Sequence, residues 1–141
     1  MPLQPGPLNH VALPTADPVR AAKFYCDVLG FVETPRPAFS FRGAWLLRRE
    51  VGVMIHLIHD EKFQSRVGEP INSRTNHLAM QVSDYDEAVN QLAAHGVKYV
   101  EHVLPDYHYR QVFFHDPDGN VLELGEWPSP QEMFPQLMKK D

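Results

Sequence analysis

The feature that most constrains this chain is an internal repeat. Residues 9 to 13 read Asn-His-Val-Ala-Leu and residues 76 to 80 read Asn-His-Leu-Ala-Met, an offset of 67 that keeps Asn, His and Ala identical. The same offset carries Asp17 onto Asp84 and Ala21 onto Ala88, and Gly30 and Gly96 lie within one residue of it. Self-similarity at one spacing means one structural unit used twice, so each element assigned in one half needs a counterpart in the other. The chain has 141 residues, enough to bury a core without disulfide or metal staples.

Each copy opens on a short apolar run, Leu8 to Leu13 and His77 to Val82, with the period of a partly buried strand. A helix follows. Asp17 is placed to cap it with Pro18 at the first helical position, and Asp84 with Glu87 three residues on forms an acidic variant of the capping box. Val19, Ala22, Cys26 and Leu29 share one helical face, as do Tyr85, Ala88, Val89 and Leu92, and Gly30 and Gly96 suit the left-handed position that closes a helix. Three strands return after each helix: Phe31 to Glu33, Ala44 to Arg48 and Val53 to His59, then Val97 to Val103, Tyr109 to His115 and Val121 to Gly125. The predicted fold class is α+β, with two βαβββ modules, each a curved mixed sheet with one helix. Residues 1–141 are expected to form a single domain, with module one over 7–60, a polar linker over 61–74, module two over 75–126 and a tail over 127–141 carrying a short helix. The segment Asp116-Pro117-Asp118-Gly119-Asn120 reads as a tight turn that fixes the register of the last strand.

Charge and cysteine usage exclude several classes. With 13 Lys and Arg against 18 Asp and Glu the net charge is -5, and without a basic run no nucleic-acid partner is expected. No apolar run of about 18 residues and no signal-like N-terminus is present, so membrane insertion and export are not expected. The single cysteine, Cys26, forms no internal disulfide, is expected in the core, and points to a reducing cytoplasm.

The repeat also sorts the eight histidines. His10 and His56 are 46 residues apart, His77 and Glu123 are also 46 apart, and His56 plus 67 is Glu123. The first and last strands of both modules therefore carry a metal-competent side chain at equivalent points. Alternation puts Met54, His56 and Ile58 on one side of their strand, and it sets Glu123 among apolar neighbours, where a carboxylate needs a partner. If these strands face a common cleft, His10, His56, His77 and Glu123 converge on one divalent cation. Three imidazoles and one carboxylate suit Zn, Ni, Co, Mn or Fe(II) and leave room for waters or a chelating substrate. A lone strand histidine is more often an ordinary core or surface group, and obedience to the repeat distinguishes these positions. His59, on the opposite strand face, is expected in solvent. His95, His102, His108 and His115 fall off the repeat and are expected to be structural or surface groups.

These residues resemble the vicinal oxygen chelate superfamily, which includes glyoxalase I, fosfomycin resistance enzymes, extradiol dioxygenases and bleomycin resistance proteins. The likeness runs from Leu8 to Glu126 and rests on Leu8-Asn9-His10-Val11, Ala22-Lys23-Phe24-Tyr25 with Leu29-Gly30-Phe31, Asn76-His77-Leu78, and Asp116-Pro117-Asp118-Gly119 leading to Leu122-Glu123. It implies paired βαβββ modules, one divalent metal ion per site and a homodimer in which each cleft draws on both chains. Fold alone does not fix activity in such a family. Phe113 stands where fosfomycin-modifying and extradiol enzymes commonly carry a tyrosine, and all four ligand positions are filled, unlike in bleomycin-binding members. The full set is similar to that of glyoxalase-I-like lyases, with His56 in place of their usual glutamate, and with Pro14 and Asp60 where animal enzymes carry glutathione-binding Arg and Asn.

The expected substrate is a small oxygen-chelating molecule, such as the hemithioacetal of a 2-oxoaldehyde, isomerised through a metal-stabilised enediolate. Glu123 is the expected general base, with His56 beside it in the catalytic set. Trp45, Met54, Gln111 and Phe113 are expected to line the pocket. The alternatives are an Fe(II) extradiol-type dioxygenase, in which Glu123 with His10 or His77 binds iron and His56 acts as base, and a non-catalytic small-molecule or antibiotic-binding resistance protein.

Overall fold

The structure, a computed structural model, describes residues 1–138. The chain divides into two compact units, Met1–Val67 with Asp116–Gly119, and Gly68–His115 with the chain from Asn120 onward.

In the first unit β1 (Val11–Thr15) leads into α1 (Pro18–Leu29), then β2 (Val32–Thr34), β3 (Gly43–Arg48) and β4 (Val53–His59). The sheet order is β1-β4-β3-β2, with β1 parallel to β4 and the other pairs antiparallel. Parallel pairing needs a long crossover, and α1 with β2 and β3 supplies it. The extended Asp17 accepts from the backbone N–H groups of Val19 and Arg20 to start α1, and Gly30 ends it at φ 68°, a conformation that carries no Cβ penalty in glycine.

The helix buries Pro18, Ala21, Ala22 and Tyr25 toward Ala44, Leu46, Ile55 and Leu57 on β3 and β4. This face is turned from the Val19–Cys26 stripe expected from periodicity: Val19 is exposed and Cys26 is half-buried. Two adjacent alanines let the helix sit close to the sheet, and the Tyr25 hydroxyl anchors the rotation by donating to Asp116 at 2.9 Å. The first strand also starts later than expected, leaving Leu8 exposed.

The second unit repeats the design with β5 (His77–Gln81), α2 (Tyr85–Ala94), β6 (Tyr99–Val103), β7 (Arg110–His115) and β8 (Val121–Gly125). Its order, β5-β8-β7-β6 with β5 parallel to β8, is that of the first sheet. Asp84 caps α2 by accepting from the Glu87 N–H at 2.9 Å. The Glu87 side chain turns to Gln91 instead of closing the capping box. Tyr85 and Leu92 of the helix are buried, as are Val112, Phe114, Leu122 and Leu124 of the sheet. The short helix expected in the tail is α3 (Pro130–Met133), and its capping box between Ser129 and Glu132 is complete. No helix among the described residues is long and apolar enough to cross a membrane.

The Asp116–Gly119 turn is built into the first unit. Asp118 is fully buried there, and a buried carboxylate must be matched by donors. It receives the Thr15 hydroxyl at 2.5 Å, the Ala16 N–H at 3.1 Å and the Arg20 guanidinium at 3.1 Å. Gly119 follows at φ 81°, and a Cβ there would run into the Arg66 backbone.

Replacing Asp118 by Ala strands the Thr15 and Ala16 donors in the interior. The variant is expected to lose about 2 to 3 kcal/mol of unfolding free energy, read as a lower urea midpoint with an unchanged slope, and Asp118→Asn is expected to lose less.

Candidate metal centre

In the first unit the register sets Ala12, His56 and Trp45 side by side across β1, β4 and β3, and His10, two residues before Ala12, shares their face. The His10 and His56 rings stack with centroids 3.9 Å apart and planes 16° from parallel. From the strand on the other side, Trp45 stacks on His56 at 4.3 Å and 6°. His56 is thus held flat between two rings. Met54 lies half-buried on the same face, two residues before His56.

The ring nitrogens have distinct roles. His10 Nδ1 lies 2.8 Å from the Asn9 side-chain oxygen; that oxygen accepts, so Nδ1 donates and the Nε2 lone pair is left for another partner. His56 Nε2 is buried with no hydrogen-bond partner among the described residues, and such a group asks for a ligand. Burial, and next the charge of His10, lower the His56 pKa, which keeps its imidazole neutral and its lone pair available near neutral pH. His59, expected in solvent, is instead partly buried on the α1 side of the sheet, with Nδ1 at 3.2 Å from the Thr15 carbonyl.

In the second unit Ala79, Glu123 and Phe113 align across β5, β8 and β7. Glu123 is only 3% exposed. The Gln111 amide donates to its Oε1, and His77 Nε2 lies 2.8 Å from its Oε2. His77 Nδ1 is 2.8 Å from the Thr75 carbonyl, and since a carbonyl only accepts, Nδ1 must carry a proton. The Nε2–Oε2 contact then requires one more proton, on the imidazole or on the carboxyl. Burial raises the Glu123 pKa, against the lowering effects of the His77 charge, the Gln111 and His77 hydrogen bonds and the His102 charge.

A cation shared by both lone pairs would replace that proton. Anchoring of Nδ1 by a carbonyl or amide oxygen, which leaves Nε2 for the metal, is the usual support of a liganding histidine, and both His10 and His77 have it. By donor chemistry alone, imidazole nitrogens with a carboxylate suit a borderline divalent ion. Among the described residues no group of three or more His, Cys, Asp or Glu stands in metal-holding geometry; the candidate ligands form two pairs, one in each unit.

Phe113 is buried, edge-on to His77 at 5.6 Å and to His102 at 5.5 Å, so it steadies two imidazoles. His102 lies opposite Gln111 in the β6–β7 register, on the Glu123 face, and its charge acts on Glu123. Its parity with Gln111 was the available signal, and it becomes readable once β6 is paired with β7.

The Glyoxalase/Bleomycin resistance protein/Dioxygenase superfamily model matches residues 7–124. Glyoxylase I 4 of Arabidopsis thaliana is 33% identical over 129 residues, covering 87% of this chain and 72% of the plant protein. A glyoxalase family protein from Bacillus anthracis superposes with a TM-score of 0.73 at 24% identity, over 91% of this chain and 100% of the other. A fosfomycin resistance protein from Listeria monocytogenes, complexed with Mn(II) and 1S,2S-dihydroxypropylphosphonic acid, superposes with a TM-score of 0.70 at 17% identity, over 95% and 99% of the two chains. At these identities the two solved structures share the fold.

Since the Gln111 amide lowers the Glu123 pKa, Gln111→Leu is expected to move it further upward in chelator-treated protein, read by carbon NMR titration of the side-chain carboxyl. A raised folded-state pKa gives stability that is lost as pH climbs from the ordinary glutamate value through the raised one, and the variant is expected to lose more over that window.

Proposed function

We propose that this chain, which belongs to the Glyoxalase/Bleomycin resistance protein/Dioxygenase superfamily, is a divalent-metal-dependent lyase or isomerase of the glyoxalase-I-like type. Its substrate is a small molecule with adjacent oxygens, such as the hemithioacetal of a 2-oxoaldehyde. The observation that carries this reading is the His77–Glu123 contact, in which an imidazole with its far nitrogen already anchored meets a buried carboxylate across 2.8 Å. A superfamily fold that holds Mn(II) together with a 1,2-dihydroxy compound supports it.

His10, His56, His77 and Glu123 would hold the cation, which is one of Zn, Ni, Co, Mn or Fe(II) by the chemistry of three imidazoles and a carboxylate. Bound there, it supplies Lewis-acid polarisation of a substrate oxygen. Either pair alone offers two donors, too few for such an ion, and the two pairs together offer four. The reading carries a homodimer with it.

Glu123 does the proton work. A carboxylate destabilised by burial is a stronger base than an exposed glutamate, and it takes the proton from the carbon next to the carbonyl and returns it to the adjacent carbon. The Gln111 amide holds one of its oxygens, so its orientation is set before substrate arrives. His56, neutral and clamped between His10 and Trp45, contributes a fixed lone pair, and Trp45 and Met54 give the cleft an apolar side.

Protein purified without a His-tag is expected to contain about one divalent ion per chain and to convert methylglyoxal in the presence of a thiol, glutathione being one of several to assay. His77→Ala is expected to lose the ion, and Glu123→Gln to lower kcat by about 10²- to 10⁴-fold. Full metal content in the first variant or unchanged turnover in the second would overturn the reading.

A further inference from the structure

The first unit carries a second constellation beside its paired histidines, in the segment between β2 and β3. Phe39 lies 6.2 Å from Trp45, and Phe41 stacks on Phe39 at 5.0 Å and 20°. Both phenylalanines are more than 40% exposed. With Trp45 stacked on His56 and His56 on His10, the rings form a continuous ladder that runs from the candidate metal ligands out to solvent.

Arg36 closes the outer end. Its guanidinium carbon lies 4.8 Å from the Phe39 centroid and 5.1 Å from that of Phe41, and it donates to the Phe41 carbonyl at 2.9 Å. It lies near Gly43, where a Cβ would meet the Leu57 carbonyl oxygen first and the guanidinium next, at 3.2 to 3.3 Å. Gly43 and Trp45 alternate onto the same side of β3, so the guanidinium lies on the face that holds His56.

Arg20, Arg42, Arg48 and Arg110 each pair with a carboxylate. Arg36 is half-buried and has no carboxylate partner among the described residues. A guanidinium stacked on rings is weakly hydrated, and with Nη2 donating to the Phe41 carbonyl its Nη1 side keeps N–H donors for an oxyanion. Here those donors are fixed in place beside open aromatic surface.

We propose that Arg36, Phe39, Phe41 and Trp45 form a subsite for a planar organic anion, an aromatic carboxylate being the simplest case. The ligand's ring rests on the exposed phenylalanine surface and its oxyanion takes the N–H donors on the Nη1 side of Arg36. That the anion is the distal part of a substrate whose adjacent oxygens reach the metal rests on the proposed function; binding at the subsite does not.

The test titrates 2-naphthoate into the chelator-treated full chain by calorimetry. Saturable binding is expected, weakened about tenfold or more by Arg36→Gln and several-fold by Phe39→Leu, with the neutral 2-naphthalenemethanol binding at least about tenfold more weakly. His77→Ala is expected to bind 2-naphthoate as the wild type does, so failure of the metal reading and failure of this one are told apart in the same protein. Absence of saturable binding to the wild type, or unchanged affinity in Arg36→Gln, overturns the proposal. Should that variant fail to fold, Arg36→Lys keeps the charge without the planar guanidinium, and unchanged affinity there has the same force.

Discussion

The rest of the structure depends on the parallel pairing of first and last strands in each unit. Residues 46 apart in sequence become neighbours because β1 runs beside β4 and β5 beside β8 in the same register, Ala12 against His56 and Ala79 against Glu123. A slip by one residue would send His56 or Glu123 to the helix side of its sheet. The helices prevent that slip, since Ile55 and Leu57 in one unit and Leu122 and Leu124 in the other bury their side chains on the opposite face. The apolar core and the candidate ligands are two readings of one alternation.

Two buried carboxylates show how differently the fold can treat the same group. Asp118 is surrounded by a hydroxyl, a backbone N–H and a guanidinium, a donor set that is complete within the chain. Glu123 has an amide on one oxygen and, on the other, an imidazole whose contact depends on a single proton. The first arrangement is closed and structural. The second is open to exchange of that proton for a metal ion, and burial raises the Glu123 pKa.

The strands and both helix caps were legible in the sequence because alternation and capping are local signals, and the repeat spacing marked His10, His56, His77 and Glu123 as equivalent positions. The expected meeting of all four, however, is not seen: among the described residues they form two pairs, one in each unit. What was not legible depends on contacts between distant segments. The α1 face turned because Tyr25 reaches Asp116, 91 residues away. His59 left solvent because a carbonyl of β1 lies across from it. His102 gained its place beside Glu123 from the β6–β7 register, and the Arg36–Phe41 segment has no period to read; its order comes from a guanidinium lying over two rings.

The Asp116–Gly119 turn comes late in the chain yet belongs to the first unit. Thr15, Tyr25 and Arg20 of the first unit find their carboxylates in that turn, which the chain supplies only after nearly all of the second sheet has been made. A fragment ending at the boundary near Val67 would keep every strand of its sheet and lack the anions its interior is built around. During synthesis these interior partners of Thr15, Arg20 and Tyr25 are the last part of the first unit to emerge.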